Sequence, residues 1–299
     1  MMKFGLLGTG YWAAETQGRA LAAHPEADLV GVWGRSAEKA GALAARYGAR
    51  AYDRPEALFE DVDAVAIALP PDVQADLAAR AAEAGRHLLL DKPVALTVEA
   101  ADRVVAATER NGLASVVFFT RRFQPAVEAF IADCVANGPW DGVSANQFAA
   151  IFQPGNPYAE SPWRRHKGGL WDIGPHALAV ILPILGPVAE VCAVRGPRDT
   201  THVLLRHASG AAGTMSLTLD APPAATEREF VFFGERGLAR VPAGDRTSVA
   251  AFGAAIDALI ADAAARRTDH PCGVRFGREV VAVLAAAERS RDSGRVERP

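Results

Sequence analysis

At 299 residues the chain is longer than a single domain of ordinary size and suggests two. Half of its residues are hydrophobic, 22% are charged and the formal net charge is −3, which suits a soluble protein with a large core and gives no electrostatic case for nucleic acid or an anionic membrane surface. Cys134, Cys192 and Cys272 are odd in number and far apart, so neither a disulfide framework nor a zinc site is indicated.

Strand and helix patterns alternate from the start. A short apolar strand at 3–7 runs into Gly8, and 12–23 reads as a helix that stops before Pro25. A second apolar strand at 29–33 is followed by Ser36 as a helix cap, with Ala37, Ala40, Leu43, Ala44 and Tyr47 at helical spacing. Asp53, Pro55 and Glu56 together predict a capped start to a short helix. The continuous apolar run 64–69 reads as a strand covered on both faces. Pro70, Pro71 and Asp72 stop it and open a helix that ends at Gly85. A strand at 87–90, a helix capped by Thr97 and stopped by Asn111-Gly112, and a strand at 113–119 complete the series. Gly5 and Gly8 interrupt any signal-like apolar run, and no stretch approaches the roughly 18 consecutive apolar residues of a spanning helix, so the expected location is the cytoplasm, without membrane association.

This order predicts an α/β fold: an N-terminal Rossmann domain, residues 1–120, with a doubly wound parallel sheet. The pattern then changes. A helix at 125–136 precedes strand-like segments at 143–152, 188–194, 202–206, 214–219, 229–233 and 238–241, with one helix near 172–185 and two more at 247–266 and 274–291. Residues 121–299 therefore read as a C-terminal α+β domain with an open, mostly antiparallel sheet. An open sheet needs a covered face, so a homodimer or homotetramer is expected.

Gly8-Thr9-Gly10-Tyr11-Trp12-Ala13 fits Gly-x-Gly-x-x-Ala in the first βα turn. The first glycine makes the turn, the second lets phosphates approach the backbone, and the N–H groups of the helix start face the pyrophosphate. NAD binders usually place an acid at the end of the second strand to hold the ribose hydroxyls. Here the residues are Trp33-Gly34-Arg35-Ser36, with Lys39 one helical turn on. Arg35 suits a bidentate pair with a 2′-phosphate, and Ser36 and Lys39 add a hydrogen bond and a charge. NADP(H) is the favoured cofactor, with NAD(H) as the alternative.

Asp91-Lys92-Pro93 resembles the Glu-Lys-Pro motif of the glucose–fructose oxidoreductase/inositol dehydrogenase (Gfo/Idh/MocA) family. The resemblance extends in order through the glycine turn, the run from Val62 to Leu69 and Pro70, Gly85-Arg86-His87, Arg122-Phe123-Gln124-Pro125, and the segment from Lys167 to His176 that contains Gly168, Gly169, Asp172 and Gly174. It implies a hydride-transferring oxidoreductase acting on a sugar, polyol or related compound, with its site between the domains. By the same resemblance Lys92, Asp172 and His176 form the catalytic group, and Leu69, Pro70 and Lys92 join the cofactor-binding residues Gly8, Thr9, Gly10, Tyr11, Trp12, Arg35, Ser36 and Lys39.

The chemistry is sensible on its own terms. Ketone reduction needs a proton for the nascent alkoxide, the reverse reaction needs a base, and an imidazole titrates near neutrality. Asp172 and His176, four apart, are neighbours on one face if a helix has begun by then, and Asp172 either orients the imidazole or binds a substrate hydroxyl. No third ligand at suggestive spacing accompanies them, so no metal is expected. Arg122, Trp163, Arg164 and Trp171 are candidate substrate contacts, although tryptophans are as often core and Arg122 equally suits a structural pair with an acid. Two positions depart from the family: Asp91 replaces Glu, and Gln74 stands where many members carry His, so Gln74 receives no proton-transfer role. Two rival readings are a relative that keeps its cofactor and cleaves glycosidic bonds through transient oxidation, and a non-catalytic cofactor-binding sensor or partner subunit.

Overall fold

A computed structural model describes all of residues 1–299. The chain forms two compact units, one of Met1–Phe123 with Arg246–Arg278, the other of Gln124–Asp245 with Glu279–Pro299.

The first unit contains a six-stranded sheet of β1 (Met2–Leu7), β2 (Ala27–Trp33), β3 (Arg50–Tyr52), β4 (Ala64–Ile67), β5 (His87–Asp91) and β6 (Ser115–Phe118), in the order β3-β2-β1-β4-β5-β6. Every neighbouring pair is parallel, so all carboxyl ends lie along one edge. Every residue of β4 and β6 is buried, which is why these strands read as unbroken apolar runs. The crossover helices are α1 (Arg19–Ala23), α2 (Ala37–Tyr47), α3 (Pro55–Asp61), α4 (Pro71–Glu83) and α5 (Val98–Arg110). Ser36 and Thr97 cap α2 and α5 by accepting from Lys39 N at 3.3 Å and Ala100 N at 3.1 Å. This is the doubly wound parallel fold that the sequence predicts.

Three local features differ from expectation. The edge strand β3 is three residues long and carries no apolar run to announce it. Arg54, not Asp53, occupies the cap position of α3, ahead of Pro55, and Glu56 pairs with Arg80 in place of closing a capping box. The helix expected over 12–23 opens as a π-helical turn, Ala13–Gly18, before α1. A larger difference concerns the chain's division. α9 (Ser248–Ala264) packs on β5, β6 and the π-helical turn, so residues 246–278 belong with the first unit and not with a continuous segment 121–299.

The second unit contains α6 (Pro125–Ala136), β7 (Gly142–Phe148), α7 (Pro162–Asp172), α8 (Gly174–Leu185), β8 (Val188–Arg195), β9 (Thr201–His207), β10 (Ala212–Thr218), β11 (Glu227–Gly234) and β12 (Gly237–Arg240). α10 (Val274–Ser293) contributes to it from Glu279 onward. The sheet order is β12-β11-β7-β10-β9-β8. Its pairs are antiparallel except β7 with β10, so the sheet is mixed but mostly antiparallel. β9 alternates strictly, with Val203 and Leu205 buried and His202, Leu204 and Arg206 exposed. The buried face meets α8 through β7 and β10.

The helical run 162–185 is long and apolar enough to cross a membrane by composition, but 83% of its apolar window is buried in the protein. Its second part, α8, is a core helix, apolar and almost wholly buried.

Candidate active site

The sheet of the first unit reverses its winding between β1 and β4, and ligands of open α/β sheets bind outside the carboxyl ends at such a point. Gly8 sits there at φ +130°, and a Cβ on it would meet the Ala68 carbonyl oxygen at 2.4 Å. Its N–H donates to the Trp33 carbonyl at 2.8 Å. Gly34, after β2, packs so closely on Thr9 that a Cβ would stand 2.5 Å from the threonine methyl. The turn is thus wedged between the ends of β2 and β4, beside Leu69 and Pro70. Gly10 is the opposite case: it is exposed, and a Cβ there would meet nothing within 4 Å. The open space lies over the glycine expected to admit a diphosphate, so the turn has room for the expected dinucleotide.

The π-helical turn that follows is anchored from α2. The Tyr47 hydroxyl donates to the Ala14 carbonyl at 2.6 Å, and Tyr47 lies so close to Gly18 that a Cβ there would stand 2.8 Å from its ring. Such π turns recur at functional sites. Tyr11 is exposed, whereas the Trp12 ring packs 6.4 Å from that of Phe118 and its Nε1 is buried without a partner. After β2 the Arg35 and Lys39 side chains are exposed, while Ser36 is engaged as the cap of α2.

Lys92 follows β5, the second strand along from the glycine turn, and is half-buried. Its segment is stapled by a residue without a predicted role. Gln74, 1% exposed on α4, donates from Nε2 to the carbonyls of Asp91 at 2.8 Å and Pro93 at 3.0 Å, and its Oε1 accepts from Asp91 N at 3.0 Å. The Asp91 carboxylate in turn accepts from Lys92 N at 2.8 Å. One neutral amide satisfies both faces of this backbone, a task for which a donor–acceptor side chain is needed. Arg122 is buried in the 3-10 turn Thr120–Phe123, its guanidinium 5.9 Å from the centre of the Phe276 ring.

In the second unit, Asp172 and His176 do not share one uninterrupted helix as the four-residue spacing suggested. Asp172 is the last residue of α7 and His176 lies in the first turn of α8, with a break at Ile173. Gly168 kinks α7 as well, at φ +66° and ψ −163°. Asp172 is buried and accepts from Arg164 Nε at 3.0 Å. The Arg164 guanidinium lies 4.5 Å from the Tyr158 ring centre and 4.7 Å from that of Trp163. Arg164, expected as a substrate contact, is thus paired with Asp172 and lies against two aromatic rings. Trp171 is fully buried beneath Lys167, whose Nζ lies 5.4 Å from its ring centre. A ring with no exposed surface offers no stacking platform, so Trp171 is core. Trp163 retains partial exposure and His176 is half-buried.

A family profile described as an oxidoreductase family with an NAD-binding Rossmann fold matches residues 2–119, and the GFO/IDH/MocA C-terminal domain profile matches residues 145–240. The chain is 28% identical over 251 residues to a dTDP-3,4-didehydro-2,6-dideoxy-alpha-D-glucose 3-reductase of Streptomyces antibioticus, covering 80% of this chain and 75% of the reductase. Its fold is similar to that of GenD2 from gentamicin A biosynthesis, solved with NAD, at a TM-score of 0.86 and 20% identity, covering 100% of this chain and 96% of the other. It is also similar to the WlbA dehydrogenase of Bordetella pertussis, solved with NADH and UDP-GlcNAcA, at a TM-score of 0.85 and 24% identity, covering 100% and 97%.

Proposed function

The chain belongs to the Gfo/Idh/MocA family of oxidoreductases in both of its domains, and from that premise we propose that it is an NADP-preferring dehydrogenase or reductase acting on a sugar carbon of a nucleotide-linked hexose or a related polyol. The observation that carries the reading is the arrangement along the carboxyl edge of the parallel sheet. The Gly8–Gly10 turn, the exposed Arg35 and Lys39, and Lys92 follow β1, β2 and β5 of one sheet. Similarity to a dTDP-sugar reductase, and to a dehydrogenase solved with a UDP-sugar, supports the substrate class.

Gly8, Thr9, Gly10 and the N–H groups at Tyr11 and Trp12 hold the diphosphate. Arg35, with Lys39, holds the 2′-phosphate in place of the ribose-binding acid that the end of β2 lacks. When bound, the nicotinamide supplies or accepts the hydride. Lys92 and His176 handle the proton of the reacting hydroxyl, and Asp172, fixed by Arg164, orients the group that carries it. The Gln74 staple keeps the Lys92 backbone in one place while this happens.

The test is a screen of UDP-N-acetylglucosamine, dTDP-glucose and myo-inositol against NADP(H) and NAD(H), followed by absorbance of the reduced nicotinamide. Net turnover with at least one probe is expected, with NADP(H) binding the tighter. Tighter NAD(H) binding contradicts the cofactor preference. Nicotinamide that never turns over, with glycosidic cleavage or with binding alone, points to one of the two rival readings.

The uncovered face of the second sheet presents Val194 and Leu204, both more than half exposed, beside a shallow cavity of about 370 Å³ lined in part by Ser144, Asn146, Cys192 and His202. A homo-oligomer built on this face fits the pattern, and light scattering that finds only monomer removes it.

A further inference from the structure

We propose that Asp199, in the β8–β9 hairpin, is a positioning residue for Asp172 and His176, acting through the Gly168–Gly169 kink. The proposal rests on the assignment of those two residues to the reaction.

Asp199 Oδ2 accepts two backbone hydrogen bonds, from Gly169 N at 2.9 Å and from Leu219 N at 3.1 Å. One carboxylate oxygen thus ties the restart of α7 to the end of β10. The fit around it leaves no slack. A Cβ on Gly168 would lie 1.8 Å from Asp199 Oδ1, and a Cβ on Gly169 would lie 2.9 Å from the backbone of Thr218. Both glycines are required for the helix to approach the hairpin and strand this closely, and Gly168 also adopts a left-handed φ.

The hairpin is shaped to deliver the carboxylate. Arg198 and Asp199 stand at φ +52° and +64°, two consecutive non-glycine residues in the left-handed region, which costs energy unless surrounding contacts hold it. Those contacts are present: the Thr218 hydroxyl donates to the Arg198 carbonyl at 2.6 Å and accepts from Asp220 N at 3.0 Å. Burial pushes the Asp199 carboxyl up, and the two backbone donors act against that shift. A carboxylate spent on two backbone N–H groups at a kink is an expensive way to end a hairpin, and the kink is what it serves.

From the kink the link to the reacting groups is short. Gly169 O accepts from Ile173 N at 3.0 Å, and Ile173 O accepts from His176 N at 3.1 Å. Asp172 lies between these bonds, and its partner Arg164 lies on the other side of the kink. A change of the kink angle moves Asp172 against Arg164 and rotates the first turn of α8 that bears His176.

Three substitutions separate the parts. Asp199→Asn keeps an acceptor oxygen and tolerates the left-handed backbone. Asp199→Gly keeps the backbone conformation and deletes the acceptor. Thr218→Val leaves the Asp199 carboxylate in place, removes the hydroxyl that tethers the hairpin and accepts from Asp220 N, and is the milder change if Asp199→Gly does not fold. Each is compared with the wild type and His176→Ala, using whichever of UDP-N-acetylglucosamine, dTDP-glucose and myo-inositol turns over fastest, at a temperature well below unfolding. Asp199→Gly is expected to lower kcat by about tenfold or more, the scale for slight misplacement of a reacting group, with the dinucleotide KM unchanged. The deuterium isotope effect on kcat should rise as hydride transfer becomes limiting. Asp199→Asn should restore most of the loss, and Thr218→Val should fall between. A purely structural role would lower the unfolding temperature and leave kcat and the isotope effect alone. Folded Asp199→Gly and Thr218→Val proteins with wild-type kcat and isotope effect overturn the proposal, provided His176→Ala is inactive. Full turnover by His176→Ala instead overturns the assignment of His176, and the proposal with it.

Discussion

Arg164 Nε donates to Asp172 Oδ2 over 3.0 Å, with the two side chains 19% and 8% exposed. The pair spans the kink at Gly168, and its guanidinium lies against the rings of Tyr158 and Trp163. Removing the arginine leaves a buried carboxylate without this cation, so Arg164→Ala should cost about 3 kcal/mol, the lower end for a broken buried pair. Arg164→Lys keeps the charge but loses the planar fork and the ring contacts, and should fall between. Urea unfolding of the three proteins measures the order, and turnover should drop in the same sequence.

Gln74 makes a second, independent prediction. Its buried amide satisfies backbone groups on both sides of Lys92, so Gln74→Ala leaves them unpaired at a cost of about 1–3 kcal/mol. Because the loss falls on the segment that carries Lys92, kcat should decline along with stability. An alanine variant with wild-type stability and turnover would show that the staple holds nothing of consequence.

For the cofactor, Arg35→Ala should weaken NADP(H) binding by about tenfold or more, as expected for loss of a charge-assisted phosphate contact, and leave NAD(H) binding almost unchanged. Fluorescence titration of both reduced cofactors distinguishes this from a general loss of affinity.

Two histidines set an acid limit on stability. Nδ1–H of His207 donates to the Gly186 carbonyl at 2.7 Å, while its Nε2 is buried without a partner. Nδ1 of His87 accepts from Ala114 N at 3.1 Å. Burial lowers both pKa values from the ordinary histidine value. For a base whose folded pKa is depressed, the stabilisation is complete above the unfolded pKa, about 6.5, and is lost as pH falls through the folded pKa. Unfolding free energy should therefore decline on acidification below that point. His207→Gln, which keeps a donor toward Gly186 and cannot charge, should show a shallower decline in parallel urea titrations.

The glycine turn, the caps Ser36 and Thr97, and the apolar strands were legible in the sequence because each is a local signal. The short edge strand Arg50–Tyr52 was not, since three residues show no alternation. Ala13–Gly18 reads as ordinary helix, and nothing in its composition distinguishes a π turn. α7 was missed because Arg164–Lys167 and the glycine pair mask its helical pattern, and with it went the break between Asp172 and His176. Periodicity finds a helix at 247–266, close to the observed Ser248–Ala264, but cannot say that it packs on the first sheet. Gln74 and Asp199 were invisible as contributors for a related reason: a side chain that serves distant backbone has no local pattern. Two hints were available for Gln74: a polar residue amid the apolar face of α4, and its place where relatives of the family carry His.

Hydride transfer at a sugar carbon, with the proton handled by Lys92 and His176, is the chemistry proposed for this chain. The direct measurement is nicotinamide turnover with the best of UDP-N-acetylglucosamine, dTDP-glucose and myo-inositol, for the wild type and for Lys92→Ala/His176→Ala. Net turnover is expected in the wild type, and in the folded double variant turnover reduced by about 100-fold or more, the scale of lost acid–base catalysis. Full turnover in a folded double variant would contradict it.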